Sequence, residues 1–289
     1  MGGDSAFLNL IRATRVERSL MTLSSVVVVM AFANKYNLDV LILMFCFVII
    51  YSAGSIINAK TDNDFPLKYA NTSVFFLFSL AFCLSLANYV IFLAVLSTIL
   101  MSFIYSKGSR HILFGDSIAL ALCHRVIPII SAALIVNLDF FTTLKLSGVF
   151  FSSLALMTPM KNMNGWKEDL ERGYKTLMTV RKDGKLITNY LLQVYFILTL
   201  ASFFFFDLGK KFLLVIIIMF SLKILMDFYM NCGKEIKAYI MCRLMIILFA
   251  FAFVFDKAIN PEIILIGLII LLLYVLYLVV NIGDYNGIL

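Results

Sequence analysis

Ten long runs of apolar residues, separated by short polar connections, make up most of this chain. A helix needs roughly 20 apolar residues to cross the hydrocarbon core of a bilayer. Because lipid offers no hydrogen-bond partners, a spanning segment must pair its own backbone groups, as a helix does. The sequence therefore predicts an all-α, polytopic membrane helical bundle, with helices over residues 20–33, 38–57, 73–86, 89–104, 118–136, 142–160, 186–206, 212–230, 236–255 and 263–280. The first and third runs are short, so their helices are expected to extend at each end.

The composition excludes a soluble globular protein. The chain is 62% hydrophobic and 14% charged, whereas soluble domains have about 25% charged residues. The net charge is +7, and the basic residues cluster in the connections and are scarce in the apolar runs. Basic connections in a membrane protein indicate cytoplasmic loops facing anionic headgroups, so nucleic acid is not an expected partner and membrane lipids are.

The connections alternate between short, weakly charged turns and longer basic loops. The basic loops are residues 58–71, 106–116 and 161–185, and the last of these holds seven Lys or Arg residues. The excess of positive charge predicts that these loops and both termini face the cytoplasm. No linker or low-complexity tract interrupts the pattern, which indicates one integral membrane domain over residues 1–289.

The loop at 58–71 carries an amide and two acids: Asn58, Asp62 and Asp64. Asn58 and Asp62 are four residues apart, so on a continuing helix they share one face. Asp64 follows on the next turn. Carboxylate and amide oxygens are ligands that Mg²⁺ accepts in proteins, so this loop is a candidate metal site.

The loop at 161–185 mixes the acids Glu168 and Asp169 with basic residues. Acids can hold a metal ion while bases hold the phosphate oxygens that the metal leaves free. Either loop alone is also compatible with an ordinary solvated connection. Their placement on one predicted side favours a magnesium–diphosphate site, with the basic residues Lys107 and Arg110 of loop 106–116 on the same side.

These loops resemble the two Asp-rich motifs of the UbiA superfamily of intramembrane prenyltransferases. Asn58 and Asp62 match the motif Asn-Asp-x-x-Asp-x-x-x-Asp after the second helix, and Asp169 matches an acid of the Asp-x-x-x-Asp motif after the sixth. Further similar positions are Gly173, Thr176 and Leu177 (Gly-x-x-Thr-Leu), Tyr105-Ser106-Lys107 (Tyr-Ser-x-x-Lys) and Leu10-Ile11-Arg12 (Leu-x-Arg-Pro). Ala59, Pro66 and Gly165 stand where the family has acids, so this chain carries fewer carboxylates.

The resemblance implies nine core helices, with the tenth as an addition, around a central cavity open to lipid. It implies Mg²⁺-dependent transfer of a prenyl group from a polyprenyl diphosphate donor to a lipid or aromatic acceptor, through an allylic carbocation, in isoprenoid lipid biosynthesis. It assigns Asp62, Asp169 and Lys107 to catalysis. The implied metal ligands are Asn58, Asp62, Asp64, Glu168 and Asp169. The implied diphosphate-binding cations are Lys68, Lys107, Arg110, Arg172 and Lys175, and the tyrosines expected to shield the carbocation are Tyr51 and Tyr105.

Two alternatives stay open at this stage. One is phosphoribosyl transfer from a soluble diphosphate donor to a polyprenyl phosphate, because Pro66-Leu67-Lys68 resembles that branch of the family. The other is a non-enzymatic transporter or scaffold. Transporters often show internal repeats and half-helices broken at mid-membrane. We find no repeat, and Pro128 is the mid-membrane proline.

Overall fold

The computed structural model describes residues 9–10, 12–15, 17–62, 67–164 and 166–286. Among these residues there is no strand. In this part of the chain, eight helices are long and apolar enough to cross a membrane, and two shorter apolar helices accompany them. We number them α1 (Glu17–Ala33), α2 (Leu38–Thr61), α3 (Ala70–Ser85), α4 (Tyr89–Lys107), α5 (Gly115–Val136), α6 (Phe140–Asn164), α7 (Gly184–Phe205), α8 (Lys210–Asn231), α9 (Glu235–Lys257) and α10 (Pro261–Asn286). The predicted all-helical bundle is confirmed, and each apolar run corresponds to one helix.

Several helices continue past the apolar runs that predicted them. Helix α2 continues to Thr61 and α6 to Asn164, because the backbone hydrogen bonds of a helix do not depend on side-chain polarity. Asn58 therefore lies in the last turn of α2, and Asp62 caps that helix. Lys161 and Asn162 likewise lie in the last turn of α6. The polar residues of both motif loops are thus positioned by the ends of membrane helices.

Helix α5 contains a π-helical turn over Leu122–Val126. The backbone N–H of Ile127 bonds to the carbonyl of Leu122 instead of Cys123, and the freed Cys123 carbonyl accepts the hydroxyl of Tyr51 at 2.5 Å. Pro128 has no N–H to offer the carbonyl of His124, which instead accepts the Ser25 hydroxyl at 3.0 Å. Side chains of α1 and α2 therefore donate hydrogen bonds to the two carbonyl groups that have no backbone N–H partner in this turn.

Arg125 lies in the same turn and is fully buried. Its Nη1 donates to the carbonyl of Met21 at 3.1 Å, to the Ser24 hydroxyl at 3.0 Å and to the Ser25 hydroxyl at 2.8 Å. The ring of Phe150 lies 5.4 Å from its Cζ. A buried cation is costly unless it is hydrogen-bonded, so these contacts fix the middle of α5 against α1.

Helix α9 occupies the centre of the bundle and packs against α1, α6, α8 and α10. Helix α10 packs against α1 and α9. A cluster of edge-on and tilted aromatic rings joins several helices at the end away from the motif loops: Phe32, Phe206, Phe212, Phe249 and Phe253. The remaining space between α1, α2, α4, α5, α6 and α9 forms the cavity described below.

Candidate functional site

Three polar connections meet at the carboxylate of Asp62. Arg110 Nη1 donates to its two oxygens at 2.9 and 3.0 Å, the Tyr174 hydroxyl donates at 2.8 Å, and Asn58 Nδ2 donates at 3.1 Å. Arg172 Nη1 lies 3.8 Å from Oδ2. We call these five residues the Asp62 cluster. The cluster joins loop 58–71, the segment after α4 and loop 161–185.

The surroundings of Asp62 favour its ionised form. Burial by itself would raise the pKa of the carboxyl group, but the charge of Arg110 and the hydrogen bonds from Tyr174 and Arg110 outweigh it. The pKa of Asp62 therefore lies below its usual range. The guanidinium of Arg110 is also confined between two aromatic rings, since its Cζ lies 4.8 Å from the ring centres of Tyr105 and Tyr174. Such stacking adds cation–π attraction to the ion pair.

Gly173 directs Tyr174 toward Asp62. Its φ of +70° is in the left-handed region that glycine adopts without strain. It ends the short helix Trp166–Glu171, where the N–H of Tyr174 bonds to the carbonyl of Asp169 at 2.8 Å. Thr176 then caps the short helix Leu177–Val180 through a reciprocal pair with Thr179. The Gly173 and Thr176 positions of the sequence motif therefore set backbone geometry.

Asp169 is half-buried beside the cluster. Its burial raises its pKa, and Asp116 adds to this effect, while Lys161, Arg110 and Arg172 partly oppose it. The net pKa is raised, so Asp169 takes up a proton more readily than Asp62. Two of the cations that act on it, Arg110 and Arg172, also act on Asp62. Both acids thus lie in one electrostatic environment.

A cavity of about 160 Å³ adjoins the Asp62 cluster. Asn58, Tyr105 and Lys161 line it and also connect with the cluster, because Lys161 Nζ donates to the Tyr105 hydroxyl at 3.2 Å. Tyr51 lines the cavity too, so both tyrosines predicted to shield a cation are placed there. Much of the remaining wall is apolar, with Met21, Leu120, Leu154, Met157 and Ile246. A polar cluster therefore caps a largely apolar cavity.

The other predicted residues that the structure describes lie at the exposed edge of this cluster. Lys68, Lys107 and Lys175 are exposed, and Lys175 reaches the cluster through its backbone N–H, which donates to the Arg110 carbonyl at 2.8 Å. Glu168 is 64% exposed, and its Oε2 lies 4.0 Å from Arg172 Nη2. Asp64 lies outside the described residues, as do Ile11, Pro66 and Gly165.

Sequence reasoning missed Tyr174, Lys161 and Asp116 as members of this region. Asp116 is buried, and its Oδ2 accepts Asn162 Nδ2 at 2.9 Å. A signal was available for Asp116, because it is the acid at the end of the basic loop 106–116 and lies in the first turn of a helix, where the helix dipole stabilises an acid. Tyr174 lies inside the matched motif, between Gly173 and Thr176, but at a position where the motif specifies no residue.

The donor atoms fit a magnesium ion that arrives with a phosphate. Among the described residues, no three His, Cys, Asp or Glu side chains are grouped closely enough to hold a metal ion. However, Asn58 Oδ1 is buried beside Asp62 without a hydrogen-bond partner in the described part of the chain. Mg²⁺ is commonly held by one or two carboxylates plus the phosphates of the substrate. Arg110 Nε is a buried donor that also has no partner among these residues.

No protein-family model and no curated protein matches this sequence. Solved structures do match. An apo UbiA homologue from Aeropyrum pernix K1 matches with a TM-score of 0.67 and 13% identity, over 82% of this chain and 97% of that one. A structure of digeranylgeranylglyceryl phosphate synthase matches with a TM-score of 0.61 and 15% identity, over 87% and 98%. A UbiA homologue from Archaeoglobus fulgidus bound to DMAPP and Mg²⁺ matches with a TM-score of 0.55 and 16% identity, over 95% and 99%. The chain therefore has the fold of the UbiA homologues.

Proposed function

We propose that this protein is a Mg²⁺-dependent prenyltransferase of the UbiA superfamily, which moves a prenyl group from a polyprenyl diphosphate to a membrane-associated acceptor. The observation that carries the proposal is the Asp62 cluster, which caps a largely apolar cavity with an acid paired to a buried cation. The same fold has been solved with DMAPP or GPP and Mg²⁺ in the Archaeoglobus fulgidus homologue. Those ligands favour prenyl transfer over phosphoribosyl transfer or transport.

In this proposal the prenyl tail occupies the cavity and the diphosphate lies at the end formed by Asn58, Tyr105 and Lys161. Asp62, the free Asn58 Oδ1 and Asp169 would hold the metal, with Asp64 and Glu168 as additional ligands. Bound magnesium would neutralise the diphosphate and improve it as a leaving group. Arg110, Lys161 and Arg172 bind phosphate oxygens, and the exposed Lys68, Lys107 and Lys175 attract the donor from solution.

The proposed reaction begins when the allylic C–O bond breaks and its electron pair leaves with the diphosphate. Lys161 and Arg110 stabilise the negative charge that develops on the leaving group. Tyr51 and Tyr105 offer aromatic faces to the carbocation, and the apolar wall keeps water from it. A lone pair of the acceptor then forms the new bond to the prenyl carbon, and the acceptor proton passes to the released diphosphate.

Purified protein in lipid nanodiscs should transfer label from geranylgeranyl diphosphate to an extracted membrane lipid when Mg²⁺ is present and not when it is chelated. Asp62→Asn should abolish transfer. Asp183→Asn is the matched control, because Asp183 is exposed and pairs with Arg181 outside the cluster. Transfer only from labelled phosphoribosyl diphosphate to a polyprenyl phosphate would contradict the proposal.

A further inference from the structure

Three consecutive apolar residues are exposed where α4 passes into α5. Ile112, Leu113 and Phe114 are 64%, 37% and 37% exposed, and they lie between the end of α4 at Lys107 and the start of α5 at Gly115. We call these three residues the apolar turn. A run of exposed apolar residues in a connection between helices marks a surface that binds something apolar.

The backbone of the apolar turn is tightly fixed. The N–H of Ile112 bonds to the carbonyl of Ser109 at 3.1 Å, and the N–H of Gly115 bonds to the carbonyl of Ile112 at 2.8 Å. A Cβ atom at Gly115 would lie 2.2 Å from the Ser109 carbonyl oxygen, so this position requires glycine. Phe114 has a φ of +63°, which is unfavourable for a bulky residue. The turn therefore holds an exposed aromatic side chain in place at a conformational cost.

The length of α4 places the apolar turn beside the lipid headgroups. Helix α4 has 19 residues, and at about 1.5 Å per residue it is about 28 Å long, close to the roughly 30 Å of bilayer hydrocarbon. Its last residue, Lys107, is exposed, and a lysine at the end of a membrane helix extends its charge to the headgroups. The apolar turn follows this end of α4 and precedes α5.

Exposed apolar side chains continue on both helices that flank the apolar turn. Phe103 and Ile104 near the end of α4 are exposed, and so is Ile118 in the first turn of α5. Both helices are long and apolar enough to cross a membrane, so their exposed apolar side chains face lipid. The apolar turn is therefore continuous with the lipid-facing surface, which favours the bilayer over a soluble protein as its partner.

The residues just before the apolar turn are bonded to loop 161–185. The carbonyl of Arg110 accepts the N–H of Lys175. His111 Nδ1 lies 3.3 Å from the Gly173 carbonyl oxygen, and its ring centre lies 5.5 Å from that of Tyr174. Arg110 and Tyr174 are the residues whose side chains bond Asp62. The position of the apolar turn is therefore coupled to that of the Asp62 cluster.

We infer that the apolar turn is an interfacial anchor, which inserts its three side chains at the headgroup boundary of the phospholipid bilayer and thereby holds Arg110 and Tyr174 at Asp62. Removing these side chains from water is favourable and offsets the conformational cost at Phe114. Aromatic side chains are enriched at this level of membrane proteins. Neither a prenyl donor nor Mg²⁺ takes part in the anchoring, so the inference goes beyond the proposed function.

Fluorescence quenching by brominated phospholipids tests the insertion. Because the chain has a single tryptophan, Ile112→Trp in a Trp166→Phe background gives a single reporter. In nanodiscs, we expect phospholipids brominated near the headgroup to quench this reporter more strongly than phospholipids brominated near the chain ends. Glu171→Trp in the same background is the control, because Glu171 is exposed at the end of the short helix Trp166–Glu171. Neither lipid should quench it.

Denaturant titrations in nanodiscs test the coupling to the Asp62 cluster, with the native Trp166 as reporter. Ile112→Ser removes a side chain that is mostly exposed in the protein itself, so water around it would leave the midpoint unchanged. Loss of the anchor should instead lower the midpoint. Ile259→Ser is the matched control, because Ile259 is also an exposed apolar residue in a connection, between α9 and α10, and it should leave the midpoint at the wild-type value.

Three outcomes would overturn the inference. Equal quenching of the reporters at positions 112 and 171 would rule out insertion. An unquenched reporter at position 112 in a protein that is dimeric in nanodiscs would assign the apolar turn to a contact between two copies. A wild-type midpoint for Ile112→Ser would rule out the coupling to the Asp62 cluster. No donor is used in these measurements, so a failure of the proposed function would not affect them.

Discussion

Replacing Asp62 by asparagine separates the structural role of its ion pair from its proposed role in catalysis. The Arg110 and Asp62 side chains are 9% and 6% exposed, and their closest atoms are 2.9 Å apart. Removing one partner of a buried ion pair costs about 3–5 kcal/mol, because the other charge is left uncompensated. Asparagine keeps one oxygen that can accept from Arg110 or Tyr174, so we expect the lower end of this range, about 3 kcal/mol.

The lost stability should appear as separation of the loops that Asp62 joins, and a tryptophan in one of these loops can report it. Trp166 is the one tryptophan of the chain, and it begins the short helix Trp166–Glu171 in the loop that supplies Tyr174. Denaturant titrations in detergent, followed by Trp166 fluorescence, should show a lower midpoint for Asp62→Asn. The charge of Arg110 and the hydrogen bond from Tyr174 lower the pKa of Asp62, so its ionised form stabilises the fold above about pH 4 and this stabilisation is lost as the pH falls through the lowered pKa. The difference between the two proteins should therefore shrink as acid protonates the wild-type carboxylate.

A double variant, Asp62→Asn with Arg110→Met, removes both charges. It should recover much of the lost stability, since no unpaired buried charge remains, and it should stay inactive. Asp183→Asn should leave the midpoint unchanged because Asp183 is exposed. A wild-type midpoint for Asp62→Asn, or a double variant less stable than the single one, would refute the reasoning.

Three further results are expected. Because burial raises the pKa of Asp169, the fold loses stability as the pH rises through that pKa and the carboxyl group ionises. Asp169→Asn should therefore raise the thermal midpoint at pH 7.5 while it reduces turnover, and the gain in midpoint should disappear near pH 4. A lower midpoint at pH 7.5 would contradict this. Arg110→Ala should weaken donor binding strongly, whereas Lys107→Ala should weaken it little because Lys107 is exposed; the reverse order in a donor-binding titration would place the diphosphate elsewhere. In sealed vesicles of a cysteine-free background, Lys68→Cys should react with an impermeant thiol reagent only from the cytoplasmic side and Asp139→Cys only from the other; the same side for both would rule out the proposed orientation.

Apolar length and loop charge were enough to predict the number, order and approximate limits of the helices. They did not predict how α6 continues through Lys161 and Asn162, because hydropathy marks the part of a helix that lies in lipid and not its hydrogen-bonded length. Asn58 and Asp62 were predicted to share a face, and their side chains do form a hydrogen bond. This contact is local, so helical geometry alone specifies it.

The remainder of the site depends on contacts between distant parts of the chain. Arg110 is 48 residues from Asp62, and Tyr174 is 112 residues from it. Among the basic residues of the loops, sequence alone gave no means to separate the buried Arg110 from the exposed Lys107 three positions earlier. Which one turns inward is decided by the 3₁₀ turn Ser109–His111 and by the ring of Tyr174. Loop conformation and tertiary packing therefore determine that Arg110 is buried and that Lys107 is exposed.

The π-helical turn of α5 makes that helix sensitive to the number of residues it contains. An α-helix turns by about 100° per residue. Deleting one residue from Leu122–Val126 would restore regular α-helical hydrogen bonding, and the part of α5 before the turn would then rotate by that angle relative to the part after it. Arg125, which lies in the turn itself, holds the middle of the helix against α1. Asp116 and the segment that carries Arg110 would therefore swing away from Asp62 and Asn162. A one-residue deletion 12 residues from Arg110 would dismantle the cluster, while substitutions at the same positions that keep the chain length would leave its angular alignment intact.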